Sequence, residues 1–158
     1  MESEIVFSPT TNILLVKDGN VLLVKRSEAL ADFPGWYILP GGKQEKHETP
    51  EGAAIRETHE ETGISVHKAS LKVIATHYHE YKNKVYLVYI FTSSDFEGSL
   101  VESKEGIPQW LPMNEAVNNP KLYPDLKRHI QLILKSNSNN IVFTYHRFNK
   151  NLEIIETR

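Results

Sequence analysis

Residues 42–64 read GKQEKHETPEGAAIRETHEETGI, and a helix is written at both ends of the segment from Thr49 to Gly63. Thr49 can cap with its side-chain oxygen, Pro50 suits the first turn, Glu51 complements the positive end, and Gly63 can close the helix. Ala53, Ala54 and Ile55 supply an interior that agrees. On such a helix Glu57, Glu60 and Glu61 stand at i, i+3 and i+4, so three carboxylates leave from one face. Alone they would repel one another. Hard divalent cations bind a few carboxylates together with waters and phosphate oxygens, so the clustered charge suits a metal-phosphate site. A bend at Gly41-Gly42 could add a backbone carbonyl oxygen beside it. Acidic residues on a helix are more often a solvated face, so the surrounding frame has to decide.

Working outward, Ile5 to Val16 and Val21 to Lys25 are rich in β-branched and aliphatic residues, and Lys17-Asp18-Gly19-Asn20 between them carries the Asp-Gly signal of a tight hairpin. Trp36-Tyr37-Ile38-Leu39 is a short apolar piece stopped by Pro40-Gly41-Gly42. Beyond the helix, Leu71 to Tyr81 and Lys84 to Ser93 read as a second strand pair around Lys82-Asn83, and Gln109-Trp110-Leu111 as a shorter strand. Tyr123-Pro124-Asp125 leads into a second helix in which Leu126, Ile130, Ile133 and Leu134 recur at helical spacing. The polar loop Ser136 to Asn140 precedes a closing hairpin of Ile141 to Phe148 and Leu152 to Thr157. Strands flanking two helices predict an α+β fold, a mixed β-sheet sandwiched between helices. At 158 residues, with no repeat or linker, the expectation is a single domain over 1–158.

Twenty acidic residues against eighteen basic give a formal charge of −2, too balanced for a protein whose main work is coating a nucleic-acid polymer or an anionic membrane. The absence of cysteine excludes disulfides, thiolate zinc sites and cysteine nucleophiles together. The apolar runs Ile13 to Val16 and Val85 to Phe91 fall far short of the roughly 20 residues that cross a bilayer. The start, MESEIVFSPT, lacks the basic-then-apolar order of a signal peptide, and a cytoplasmic location is expected.

The frame around the three glutamates resembles the Nudix box, Gly-x5-Glu-x7-Arg-Glu-U-x-Glu-Glu-x-Gly-U, where U is a bulky apolar residue. Gly42, Glu48, Arg56, Glu57, Glu60, Glu61, Gly63 and Ile64 fall in place, and only Thr58 stands where the family often has an aliphatic residue. The seven identities would coincide by chance on the order of once in 10⁸ starting positions. The resemblance implies a Nudix-type α/β/α sandwich that hydrolyses a nucleoside diphosphate linked to a further group, with Mg²⁺ or Mn²⁺. It implies Glu57 and Glu61 as metal ligands with Glu60 beside them, a carbonyl ligand at Gly41, and a salt bridge from Arg56 to Glu48 that braces loop and helix. The partner is then a small nucleotide.

Downstream, EGIPQWLPMNEAVNNPKLYPDLKRHI is similar in order and spacing to the MutT-like branch, which removes oxidised purine nucleoside triphosphates. That similarity implies Glu105 as an acid near the metal, Arg26 as a base at the phosphates, and Tyr123 with Asp125 as the element that stacks on and reads the nucleobase. Two positions depart from the branch: Leu126 replaces a second Asp, and Ile38 replaces a base-reading Asn. Tyr81 lies about where dinucleoside polyphosphate hydrolases carry a tyrosine, which keeps that activity open beside a nucleotide sensor that does not hydrolyse. His77 and His79 share a strand face, but without further ligands at suitable spacing they read as surface or pocket histidines rather than a metal pair. Trp36, Tyr37 and Trp110 read as packing residues first.

Overall fold

Runs of Val, Ile and Leu build Val6–Lys17 (β1) and Asn20–Arg26 (β2), which pair antiparallel across the expected Asp18-Gly19 turn. The computed structural model describes residues 4–137 and 139–158; Met1–Ser3 and Ser138 lie outside the described residues, and with them the start of the acidic N-terminal stretch and one position of the Ser136 to Asn140 loop. Next come Tyr37–Ile38 (β3), Gly41–Lys43 (β4), Pro50–Thr62 (α1), Ser65–His79 (β5), Lys84–Glu97 (β6), Gly106–Pro112 (β7), Met113–Val117 (α2), Leu126–Lys135 (α3), Val142–Phe148 (β8) and Ile154–Thr157 (β9).

Among the described residues nine strands form one mixed sheet in the order β3-β2-β1-β6-β5-β8-β9, with β4 also on β1 and β7 also on β2. The β1–β6 and β5–β8 pairs are parallel and the others antiparallel. Strand alternation sorts the core into two layers. Ile13, Leu15, Leu22 and Phe91 pack with Ala54 and Ile64, which seats α1 on one side. Leu14, Leu23, Val73 and Ile90 face Leu126, Ile130 and Ile133, which seats α3 on the other. The sheet is thus sandwiched between helices, as the element order predicts.

Some boundaries differ, for physical reasons. The pair Gly41-Gly42, read as a stop, continues as β4, because Thr10 to Asn12 of β1 pair with Gly41 to Lys43. β5 starts at Ser65 rather than Leu71, and its register shifts between Val66 and Val73 break the alternation on which a sequence reading depends. The helix α2 was not anticipated. Leu134, read as part of the apolar stripe of α3, is 48% exposed, and His129 takes a buried place in that stripe. Among the described residues no helix is long and apolar enough to cross a membrane.

Candidate active site

The loop from β4 into α1 is locked before any carboxylate is placed. Thr49 caps α1 by accepting the Gly52 N–H at 3.0 Å. Gly63 ends the helix in the left-handed region at φ 78°, and a side chain there would collide with the Ser99 carbonyl. Arg56 is the hub. It donates from Nε and Nη2 to the two oxygens of Glu48 at 3.0 and 2.7 Å, from Nη1 to Glu57 at 2.9 Å and Glu60 at 3.1 Å, and from Nη2 to the Lys43 carbonyl at 3.2 Å. The bidentate contact holds the Glu48 carboxyl below its ordinary range. The brace expected between Arg56 and Glu48 is present.

The three helix glutamates share a face but not an environment. Glu60 has a side chain 57% exposed and turned along the outside to Arg56. Glu57 is mostly covered, and burial pushes its carboxyl up against the opposing pull of Arg56. It packs so closely on Gly42 that a Cβ there would stand 2.5 Å from the Glu57 carboxyl carbon, and any side chain at this position would displace that carboxylate. Glu61 is buried and accepts the Gly41 N–H at 3.0 Å. Burial and a hydrogen bond with Glu105 push it up to about 9, against the Gly41 N–H, with the charges of Glu105 and Glu57 adding to the rise. Glu105, predicted from a distant segment, therefore joins this corner. An all-oxygen donor set whose buried member is pushed up by burial and by neighbouring carboxylates fits a divalent cation, whose charge would offset theirs.

A cavity of about 390 Å³ lies on the α3 side of the sheet, and Gly42, which stands against Glu57, is among its lining residues. Gly42 and Lys43 line it together with Arg26, whose Nε donates to the Asp32 carbonyl at 2.9 Å. Tyr123 and Phe33 form an aromatic wall, ring centroids 5.0 Å apart and edge to face. Ile38, Asp125 and Leu126 also line it, so the structure gathers Arg26, Tyr123 and Asp125 around one space. Tyr81 is 42% exposed and is not among the residues lining this cavity. Trp110 stacks on Phe96 at 6.0 Å and Tyr37 packs on the core, as expected for packing residues.

His77 and His79 are buried cavity residues rather than surface ones. Asp125, also buried, lies 2.6 Å from His77 Nε2 and 3.3 Å from His129 Nδ1 through its Oδ2. Burial pushes Asp125 up, but His77, His129 and His146 outweigh it and hold the carboxyl below its ordinary range. Burial lowers His79 and His129 to about 4. The sequence reading missed His129 and His146. The first sits in a helical stripe where an apolar residue was expected, and the second is set opposite His77 only by the parallel β5–β8 register.

The sequence profile of the NUDIX domain matches residues 7–133. The 8-oxo-dGTP diphosphatase of Proteus vulgaris is 32% identical over 92 residues, covering 58% of this chain and 80% of that protein. The CTP pyrophosphohydrolase of Escherichia coli is 28% identical over 113 residues, covering 72% of this chain and 82% of that protein. Among solved structures, the MutT protein of Bacillus halodurans superposes with a TM-score of 0.82 at 26% identity over 96% of each chain, so the likeness runs on past residue 133.

Proposed function

The chain belongs to the Nudix hydrolase family, and from that premise we propose that it cleaves nucleoside triphosphates to the monophosphate and pyrophosphate with Mg²⁺, or Mn²⁺ in its place. Oxidised purine triphosphates such as 8-oxo-dGTP are the favoured class. The observation that carries the reading is the shared boundary of corner and cavity: Gly42 lines the cavity and packs directly on Glu57. Phosphates of a nucleotide seated in the cavity then reach the carboxylates.

In this reading Glu57, Glu61 and the Gly41 carbonyl would hold the cation, with Glu60 and Glu105 beside them. A divalent ion held there would supply charge to offset the phosphates, polarisation of the anhydride bridge and a lowered pKa for an attacking water. A carboxylate of the cluster takes that water's proton. Arg56 keeps Glu48, Glu57 and the loop in place, so Gly42 and Gly63 serve the same end by letting backbone and carboxylate approach. Arg26 and Lys43 face the phosphates, Tyr123 stacks on the base, and Asp125 lies at its polar edge. The relatives differ in their printed nucleotides, 8-oxo-dGTP and CTP, so the base is the finer part of the proposal. A single domain over 1–158 and a cytoplasmic setting belong to the same reading.

The test is kcat/KM over ordinary and oxidised nucleoside triphosphates, dinucleoside polyphosphates and nucleotide sugars with Mg²⁺. The proposal expects the highest value with an oxidised purine triphosphate. A highest value with nucleotide sugars, or binding without turnover throughout, overturns it.

A further inference from the structure

Three elements converge behind the aromatic wall of the cavity. β5 contributes His77, β8 contributes His146 in direct parallel register with it, and the entry to α3 contributes Asp125. All three are at least nine-tenths buried. One ligand atom from each lies within 4.8 Å of the other two. Although His77 Nε2 is 2.6 Å from Asp125 Oδ2, neither oxygen of Asp125 nor His77 Nε2 has a hydrogen bond of acceptable geometry among the described residues. A buried carboxylate whose two oxygens lack an aligned donor is costly, and a cation bound among these three groups would satisfy it.

The surroundings agree. His146 Nδ1 is 3.1 Å from Thr157 Oγ1, and donation to that hydroxyl leaves Nε2 as an acceptor on the cluster side, where its neighbour is His129 Nε2 at 3.4 Å. His129 flanks the group, with Nδ1 3.3 Å from Asp125 and Nε2 3.0 Å from Thr144 Oγ1, which suits it to orient the carboxylate.

We propose that His77, His146 and Asp125 form a second metal site, separate from the carboxylate corner, for a borderline divalent transition ion such as Zn²⁺. Two imidazoles and one carboxylate are a donor set that suits zinc and leaves a position open, whereas the all-oxygen corner suits Mg²⁺. His77 and Asp125 both line the cavity, so the open position faces it, ready for a water or a heteroatom of a bound molecule. The site stands whether or not the nucleotide reading holds.

The full chain, stripped with chelator and kept in excess Mg²⁺ to fill the carboxylate corner, is titrated with Co²⁺ and then Zn²⁺. One equivalent of Co²⁺ is expected to give the intense visible bands of four- or five-coordinate nitrogen ligation, and one equivalent of Zn²⁺ to displace it. His146→Gln should weaken binding at least about tenfold, and Glu57→Gln should leave it unchanged. Should His146→Gln fail to fold, the nitrogen NMR shifts of the His77 and His146 rings on adding Zn²⁺ to wild-type protein decide, and both must move. The proposal falls if wild-type protein gives no such bands, if the bands survive both His77→Gln and His146→Gln, if only Glu57→Gln abolishes them, or if the ring shifts stay put.

Discussion

Glu61 and Asp125 are carboxylates sealed from water to a similar degree, 3% and 2% exposed, yet the protein drives their protons in opposite directions. Around Glu61, burial and further carboxylates combine to push it up to about 9. Around Asp125, burial acts the same way, but imidazoles on β5, α3 and β8 overturn it and hold the carboxyl low. Burial alone therefore does not set the charge of a buried acid. Its neighbours do, and they also set which ion would suit each place: oxygen donors at the corner, nitrogen donors behind the cavity wall.

The largest effect should come from removing one side's ligand. Glu57→Gln should lower kcat by more than about 10²-fold, since loss of even an outer partner of a metal ligand costs 10- to 100-fold, while the melting temperature stays level or rises. A mutant within tenfold of wild type would remove Glu57 from the chemistry. Arg56→Ala should lower kcat by about 10- to 100-fold, because Glu57 and the Lys43 loop lose their brace, and should also lower the melting temperature. Tyr123→Ala, on the cavity side, should raise KM about tenfold with kcat nearly unchanged, as the loss of one base-stacking ring predicts. A fall confined to kcat would place the base elsewhere.

The two regions should also part in their response to pH. Glu61, about 9 in the folded chain against an ordinary 4.5, keeps a proton that the unfolded chain has released, so metal-free protein should lose stability as pH rises across that window. His79 and His129, about 4 against an ordinary 6.5, stay neutral while the unfolded chain takes up protons, so stability should also fall as pH drops through that window. In chelator, melting curves of Glu61→Gln should lose most of the alkaline fall and those of His129→Gln part of the acidic one. Unchanged slopes would show that the contrast is not electrostatic. The smallest effect concerns Thr58, whose buried hydroxyl has no hydrogen-bond partner among the described residues. Thr58→Val should raise the melting temperature by about 2–4 °C per kcal/mol gained, with activity intact.

How much of this was legible followed the range of the interactions. The ends of α1, the first hairpin and the Arg56–Glu48 brace are local, and the residues that specify them lie within one segment. Glu105 was placed by likeness to a family branch, and the structure brings it to Glu61. The pairing of Gly41 to Lys43 with Thr10 to Asn12 was not legible, because a glycine pair reads as a break until a partner strand is supplied. The shared surroundings of Glu57, Glu60 and Glu61 were only half legible: helical spacing gives a common face, but the depth of each residue depends on what packs against it. Least legible was the histidine group, since His77, Asp125 and His146 meet only through the β5–β8 register and the docking of α3.

The central claim is that the carboxylate corner needs a divalent cation to cut a phosphoanhydride at the mouth of the cavity. Phosphorus NMR of 8-oxo-dGTP incubated with the chelator-stripped protein, before and after adding Mg²⁺, tests it directly. The account predicts an unchanged triphosphate at first and then nucleoside monophosphate with pyrophosphate in equal amounts. Release of orthophosphate with the diphosphate, or turnover that needs no added cation, would contradict it.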